Sequence, residues 1–456
     1  MNYTKENDLN QLENKNFLHI PSNLERFVNT NTTIENDSSG NKTSCFNGYI
    51  TLSTDDTICP ICNHLMQCNN SYNITIKHLP FGSIYSQIKV ERKQLICSYC
   101  GSTKMQEIPF KDDNHFITNE LRTYIEDLLA TNNFTNKEIA YISGVNRNII
   151  KEIDKERLIK KYTVDGLGKE IIKPNSQARY LGIDEFKLHN GYKYATHIID
   201  YDTGHILWIA EGKKKQVVFD FINHVGLEWM SHVEAVACDM NSDFEEAFIS
   251  KCPHIKIVYD HFHIVKYLNE KVIAEIRKDV QNELISIGDK EAANKLKRTK
   301  YILYSSTDTL KRKDQDAKDG KVLSKESSLF KKTKIVRKGS YYDRYEKLVN
   351  GNDLFLLIEL IKDTLSEAYR VNSEDEMVNL IFDIMELCEA SGNKHLKKFG
   401  NLLYNHFDGI VAYAIYKITS GKIEGINNKI KTLRRQAYGY PDDEYFFLKL
   451  FDMSRA

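Results

Sequence analysis

Residues 180–184, YLGID, followed by Glu185 and Phe186, form a short apolar run that ends in an acid. A buried strand does not carry a carboxylate to its tip without a use for it, because desolvating an unpaired charge is costly. The same pattern returns at 233–239 (VEAVACD) and at 256–260 (KIVYD). Three strands that each deliver an acid to the carboxyl end read as the floor of a metal-dependent active site. Ligands of open α/β sheets sit at that end.

Outward from this stretch the chain reads as α/β. The runs YKYATHIIDYD and HILWIAEG follow, with turns at 189–191 and 202–204, and predict a three-stranded antiparallel meander. Val217, Val218, Phe221, Ile222 and Val225 mark an amphipathic helix. VEAVACD is then a fourth strand, FEEAFIS a helix, KIVYD a fifth strand and HFHIVKYLNEKVIAEIRKDV a long helix. The order of three meander strands, helix, strand, helix, strand matches a ribonuclease H-like core. In such a core the first strand is central and neighbours the fourth, so Asp184 and Asp239 would converge at one edge. Glu185 alternates to the opposite face.

Two carboxylates hold a divalent ion weakly, and a third ligand is expected from a helix. The candidate lies at 420–440, SGKIEGINNKIKTLRRQAYGY. Ile423, Ile426, Ile430 and Leu433 recur at steps of 3, 4 and 3, which predicts one packed face. Glu424 stands beside that face in the first turn. Asn428, Lys431 and Arg435 trail on its side, with Arg434 as a further cation. Taken alone, Glu424 is an ordinary acid favoured by the helix dipole. The whole constellation makes it the third ligand.

The amino-terminal half carries Cys59-Pro-Ile-Cys62 and Cys97-Ser-Tyr-Cys100. Two such knuckles place four thiolates for a tetrahedral zinc ion, and four protein ligands leave no open position for chemistry. The alternating segment between them suits a zinc ribbon, with His64 and Cys68 as spare donors. Six of the nine cysteines precede residue 101, in a chain whose polar start is no secretory signal. Metal is therefore favoured over disulfides. Residues 117–158 predict helices. Leu121, Ile125, Leu128 and Leu129 form one, and FTNKEIAYISGVNRNII reads as helix, turn, helix. The second helix would offer Asn146, Arg147 and Asn148 at its start, where such helices meet base edges. The plain alternative is a helical hairpin that packs and touches nothing.

Hydrophobic residues are 41% of the 456 and charged residues 28%, ordinary for a soluble protein. The absence of a long apolar run predicts no membrane span, and a bacterial cytoplasmic protein, nucleoid-associated when on DNA, is expected. A net charge of zero hides a basic stretch: residues 290–347 hold 18 Lys/Arg against 8 Asp/Glu, an excess of 10. Such a block suits a polyanionic partner, or else a solvated loop.

The motifs GIDEFKLHNGYKYATHIIDYDTG, VEAVACDMNSDF, KIVYDHFHIVKYLNEKV and SGKIEGINNKIKTLRRQAYGY, with CPIC…CSYC before them, resemble the ISL-three family of bacterial insertion-sequence transposases. The resemblance spans roughly residues 58–452. It implies a DDE triad of Asp184, Asp239 and Glu424 holding magnesium (or manganese), with Asp260 and His263 as a supporting Asp-x-x-His element. Relatives often place Ser-Asn-Gly before the glutamate helix, where this chain has Ser420-Gly421. The domains expected are a poorly ordered leader (1–57), a zinc ribbon (58–110), a helix-turn-helix (115–160), a linker (161–178) and the ribonuclease H-like core (179–275). A mostly helical, partly basic insertion (276–419) and the glutamate helix of the core (420–456) complete the chain. The implied function is magnesium-dependent cleavage and strand transfer of double-stranded DNA. The substrates would be terminal inverted repeats and target DNA, bound by a homodimer or larger assembly. The alternatives are a non-catalytic, transposase-derived DNA-binding regulator, which has no need to keep three acids, and a resolvase or ribonuclease on the same core.

Overall fold

The computed structural model describes residues 24–455 apart from 37–39, 169, 190–192, 241, 260, 320–321, 329–330, 337–339, 420 and 437–439. The chain divides into two compact units, one formed by residues up to 172 together with 432–456, the other by 173–431.

The first unit opens with a sheet of β1 (Phe27–Asn36), β2 (Lys42–Ile50), β3 (Met66–Phe81), β4 (Ile84–Cys97) and β5 (Thr103–Met105). The order is β1-β2-β4-β3, with β5 also on β4. The β2–β4 pair is parallel; β1–β2 and β3–β4 are antiparallel. The expected poorly ordered leader is corrected here, because β1 and β2 fall inside it. Its Asn and Thr richness masked strands that need few large side chains. Phe46 and Ile50 supply the apolar face, packing with Ile76, Ile88 and Val90. Within that leader, Phe17, Leu18, Ile20, Leu24 and Phe27 could be read as one short helix; the first three lie outside the described residues, and Phe27 begins a strand.

Three helices follow, Asn119–Ala130, Asn136–Ser143 and Arg147–Tyr162. Thr135 and Glu138 form a reciprocal capping box at the second. Gly144 ends it in the left-handed region (φ 69°), which a side chain would resist. Asn146 then caps the third through the Asn148 N–H. Leu121, Ile125, Leu129, Ile139, Val145, Ile150 and Ile153 make the shared core.

The last helix, Asp443–Ser454, departs from expectation. Its place in the chain suggested an extension of the catalytic core, but it belongs to this first unit and packs on Arg147–Tyr162. Two buried acids explain the preference. Asp452 accepts from Arg157 (2.9 Å), Lys161 (2.8 Å), Tyr162 (2.7 Å) and Asn132 (3.1 Å). Asp154 pairs with Arg157 (2.9 Å) and Lys449 (3.1 Å) and accepts from the Tyr445 hydroxyl (2.6 Å). Burial opposes the Asp452 charge, yet its bonds to Lys161, Arg157 and Tyr162 win and hold its carboxyl far below the usual range.

The second unit is built on β6 (Tyr180–Lys187), β7 (Tyr194–Asp200), β8 (Ile206–Glu211), β9 (Ala235–Cys238) and β10 (Lys256–Tyr259). Their order is β10-β9-β6-β7-β8. β6, β7 and β8 are antiparallel neighbours, while β9 runs parallel to β6 and β10 parallel to β9. Helices Lys215–Val225 and Ser242–Lys251 make the two crossovers, with Val218, Phe221, Phe244 and Phe248 in the core. After β10 the chain is helical to Tyr416 except for one hairpin, β11 (Val322–Ser328) with β12 (Lys331–Val336), among the described residues. Within the insertion expected to be mostly helical, the apolar-rich segments LFLLIELIKDTLSEAY and MVNLIFDIMELCEA fall in the helices Asp353–Ala368 and Glu374–Ala390.

Candidate active site

The helix Gly421–Gln436 meets β6 at Gly182. A Cβ built there would lie 2.8 Å from both Cδ1 and Cγ1 of Ile423 and 3.0 Å from Ile199 Cγ1. Glycine is what lets the helix come this close to the strand. The helix start is fixed from the β7–β8 side as well. The Thr419 N–H donates to the Tyr201 hydroxyl (2.9 Å), and Lys422 donates to the carbonyls of Tyr201 (2.8 Å) and Asp202 (2.9 Å).

Two residues beyond Gly182 is Asp184. Because Gly182 is in register with Ala237, Asp239 stands at the same level on the neighbouring parallel strand, just past β9. The two carboxylates feel each other. Burial pushes the Asp184 carboxyl up, and the charge of Asp239 pushes the same way. The Glu185 N–H (2.7 Å), the Asn427 amide (2.6 Å) and the nearby His263 pull against them. A half-buried acid pair that resists ionising together gains most from a divalent cation.

Glu424 is solvent-exposed one helical turn before Asn427. It lines a cavity of about 400 Å³ with His261, Phe262, Tyr369, Arg370 and Tyr413. The structure thus brings Asp184, Asp239 and His263 together and sets Glu424 one turn from the residue that touches Asp184. Asp260 lies outside the described residues. Glu185 is half-buried on β6, its carboxyl raised by burial and by Asp239 and Asp184, against Lys213. His197, opposite Asp184 on β7, is fully buried and pulled down to about 4 by desolvation. A neutral imidazole there offers Asp184 no counter-charge.

Sequence reasoning passed over Asn427 and named Asn428. The signal was present, since 423, 426, 427 and 430 form one stripe at i, i+3, i+4 and i+7, and a polar residue inside an apolar stripe is informative. Asn427 is 9% exposed, and its Oδ1 has no hydrogen-bond partner among the described residues. Gly182 was also passed over. Of the candidate DNA contacts, Asn146, Arg147, Asn148, Lys431 and Arg435 are exposed, while Arg434 is half-buried with its guanidinium over the Phe446 ring (5.9 Å).

A second site lies where β3 begins and β4 ends. The Sγ atoms of Cys59, Cys62, Cys97 and Cys100 are all within 4.8 Å of one another. Ser102 Oγ is 3.0 Å from Cys59 Sγ and 3.1 Å from Cys100 Sγ, and this contact draws the Cys59 thiol down to about 6. Four convergent sulfurs, with the Cys59 and Cys100 thiols drawn down and that of Cys62 pushed up by its neighbours, match a tetrahedral zinc set. His64 is turned away, stacked on Tyr99 with Nδ1 at the Cys62 carbonyl. Cys68 is exposed and outside the group.

Two acids on adjacent strands, Asp184 within β6 and Asp239 just past β9, beside a docked helix with a third, are an arrangement that metal-dependent phosphoryl-transfer enzymes use. A family model described as "Transposase", for DDE transposases of the ISL3 type, matches residues 181–450. The chain is 26% identical over 406 residues to the transposase for insertion sequence element IS1001 of Bordetella parapertussis, covering 88% of this chain and 90% of that one. It is 22% identical over 283 residues to the transposase for insertion sequence element IS1557 of Mycobacterium tuberculosis, 58% of this chain and 57% of that one. The chain belongs to the ISL3 family of DDE transposases. No helix among the described residues is long and apolar enough to cross a membrane.

Proposed function

We propose that this chain binds the terminal inverted repeats of its element in the bacterial cytoplasm and cuts and joins DNA strands there, with Asp184, Asp239 and Glu424 as the catalytic acids. The observation that carries the reading is the Asp184–Asp239 pair at one level of adjacent strands, tied by Asn427 to the helix that bears Glu424. The order β10-β9-β6-β7-β8 supports a ribonuclease H-like core. The donor set is all oxygen, as magnesium or manganese prefers. The unpartnered Asn427 Oδ1 suits a hydrogen bond from a metal-bound water. Magnesium held by the three acids would polarise the attacking and leaving oxygens of the phosphodiester.

The chain's own residues do the rest. Asn427 fixes the Asp184 carboxylate. Asp260 and His263 support the site. Lys431 and Arg435, exposed farther along the same helix, meet phosphates, and Arg434 adds charge beside them. No covalent protein–DNA intermediate is needed. Cys59, Cys62, Cys97 and Cys100 hold a structural zinc ion in a ribbon. The turn centred on Gly144 makes a helix-turn-helix whose third-helix start (Asn146, Arg147, Asn148) reads base edges. Two ends must be paired, so a dimer or larger assembly acts on DNA. The test is Asp184→Asn: magnesium-dependent cleavage of a repeat end is abolished while end binding persists. Cleavage by that variant would remove the proposal.

A further inference from the structure

The last residue of β10 is Tyr259, a ring only 1% exposed. Its register partner on the parallel strand β9 is Cys238, the residue before Asp239. The Tyr259 hydroxyl donates to the Glu245 carboxylate at 2.5 Å. Glu245 lies in the first turn of the helix Ser242–Lys251, which begins three residues after Asp239. An acid in a first turn is favoured by the helix dipole. This one is also bonded to a strand. The mechanism above uses neither residue.

A phenylalanine would fill the same space, so what the hydroxyl adds is the bond. A buried hydroxyl is costly without a partner, and an O–H donated to a carboxylate is among the stronger hydrogen bonds. Phe244, Ala247 and Phe248 bury the inner face of the helix in the core. Apolar contact of that kind is non-directional, and it leaves the helix free to slide. The Tyr259–Glu245 bond is directional and fixes where the helix begins. Asp239 is thereby held from both sides, by β9 before it and by this helix after it. The charges are near one another: burial pushes the Cys238 thiol up, and Asp239, Glu245 and Asp184 push the same way, in that order. The ring is held from the helical insertion as well. A Cβ at Gly409, in the helix Phe407–Val411, would overlap Cδ2 and Cε2 of Tyr259, and His406 meets the ring edge-on, centroids 5.0 Å apart at 86°.

We propose that Tyr259 is a positioning residue of the cleavage site. By holding Glu245, its hydroxyl fixes the start of the helix Ser242–Lys251, and so the place at which Asp239 presents its carboxylate to a metal ion. Because Gly409 and His406 press on the same ring, the helical insertion acts on Asp239 through Tyr259. The proposal rests on the cleavage reading above.

The experiment uses the full-length, zinc-loaded protein and four variants: Tyr259→Phe, Glu245→Leu, the two combined, and Glu245→Gln. Three quantities are read: manganese binding by calorimetry, repeat-end binding by gel shift, and the magnesium concentration for half-maximal cleavage. Thermal unfolding gives the folded fraction at the assay temperature. Tyr259→Phe is expected to bind repeat ends as the wild type does, while its manganese affinity falls and its magnesium requirement rises by roughly tenfold, the scale of losing a partner outside the ligands themselves. Glu245→Leu does the same. The combined variant is no worse than either alone, because both substitutions remove one bond. Glu245→Gln keeps an oxygen that accepts from Tyr259 and stays within about twofold of the wild type, the spread of independent sites. If Tyr259→Phe binds manganese and cuts as the wild type does, the proposal is overturned and the cleavage reading stands. The same holds if its loss is no greater than its loss of folded protein, or if the combined variant shows the sum of both losses. If the wild type binds repeat ends but cuts them at no magnesium concentration, the cleavage reading falls and takes the proposal with it.

Discussion

Substituting Gly182 by alanine tests how the glutamate helix is seated. The new methyl would sit 2.8 Å from Ile423 Cδ1 and Cγ1 and 3.0 Å from Ile199 Cγ1. Carbon atoms in contact rest about 3.5–4.0 Å apart, so a shift of roughly 0.7–1.2 Å is required. Ile423 cannot simply swing aside, because a β-branched residue in a helix has one strongly preferred χ1. The helix must move, and Glu424 moves with it. Overpacking of this kind costs about 1–3 kcal/mol of stability. A displacement near 1 Å at a reacting group costs roughly a hundredfold in rate. The assay pairs three measurements: thermal unfolding, gel-shift binding of a repeat end, and magnesium-dependent cleavage. Cleavage is expected to fall about a hundredfold, unfolding to shift down, and end binding to stay unchanged. Adding Ile423→Ala reopens the space and returns part of the cleavage. Wild-type cleavage by Gly182→Ala would mean that the position of Glu424 does not depend on this contact.

Three further outcomes are expected. Asn427→Leu keeps the volume but removes the donor to Asp184, a bond to a charged group worth about 1.5–3 kcal/mol. The magnesium concentration for half-maximal cleavage rises, with manganese restoring more than magnesium; an unchanged metal requirement would count against a positioning role. Asp452→Asn removes one charge from a buried cluster with Arg157 and Lys161 and costs about 3–5 kcal/mol in the first unit, read by urea unfolding. Because the folded carboxyl is held low, its stabilisation is complete above the unfolded value near 3.9 and is lost as pH falls toward the folded value, so the wild-type advantage over Asp452→Asn shrinks in acid. Cys97→Ser, or strong chelation, releases one equivalent of zinc and abolishes repeat-end binding; full binding by metal-free protein would show that the four sulfurs hold nothing the DNA contact needs.

The strands that carry Asp184 and Asp239 were legible because a carboxylate joined to an apolar run is costly to bury and so marks a use for its charge, although β6 runs on past Asp184 to Lys187 instead of ending there. The glutamate helix was legible through Ile423, Ile426 and Ile430, and the cysteine set through paired spacing. What escaped was set by contacts distant in sequence. β1 and β2 take their place from the sheet that β4 completes, which their polar composition does not announce. Asn427 reads as surface unless its stripe is written out, and Gly182 reads as an ordinary strand residue until Ile423, 241 positions later, is set against it. The β11–β12 hairpin lies within a stretch whose charge dominated its reading. The last helix carries the acid of a cluster whose cations come from Arg157 and Lys161, about 290 positions earlier.

That separation has a consequence for how the molecule is made. Asp452 reaches Arg157 across 295 positions. At a synthesis rate of about 5–20 residues per second, the three amino-terminal helices leave the ribosome on the order of 15–60 s before the helix that completes them. Through that interval Arg157 has Asp154 as a partner but Lys161 lacks Asp452, and the surface that Asp443–Ser454 will cover is open. The sheet of the second unit is synthesised in the meantime, but Glu424 is not. A partly made chain therefore lacks both Glu424 and the helix Asp443–Ser454, which are synthesised within a few seconds of each other.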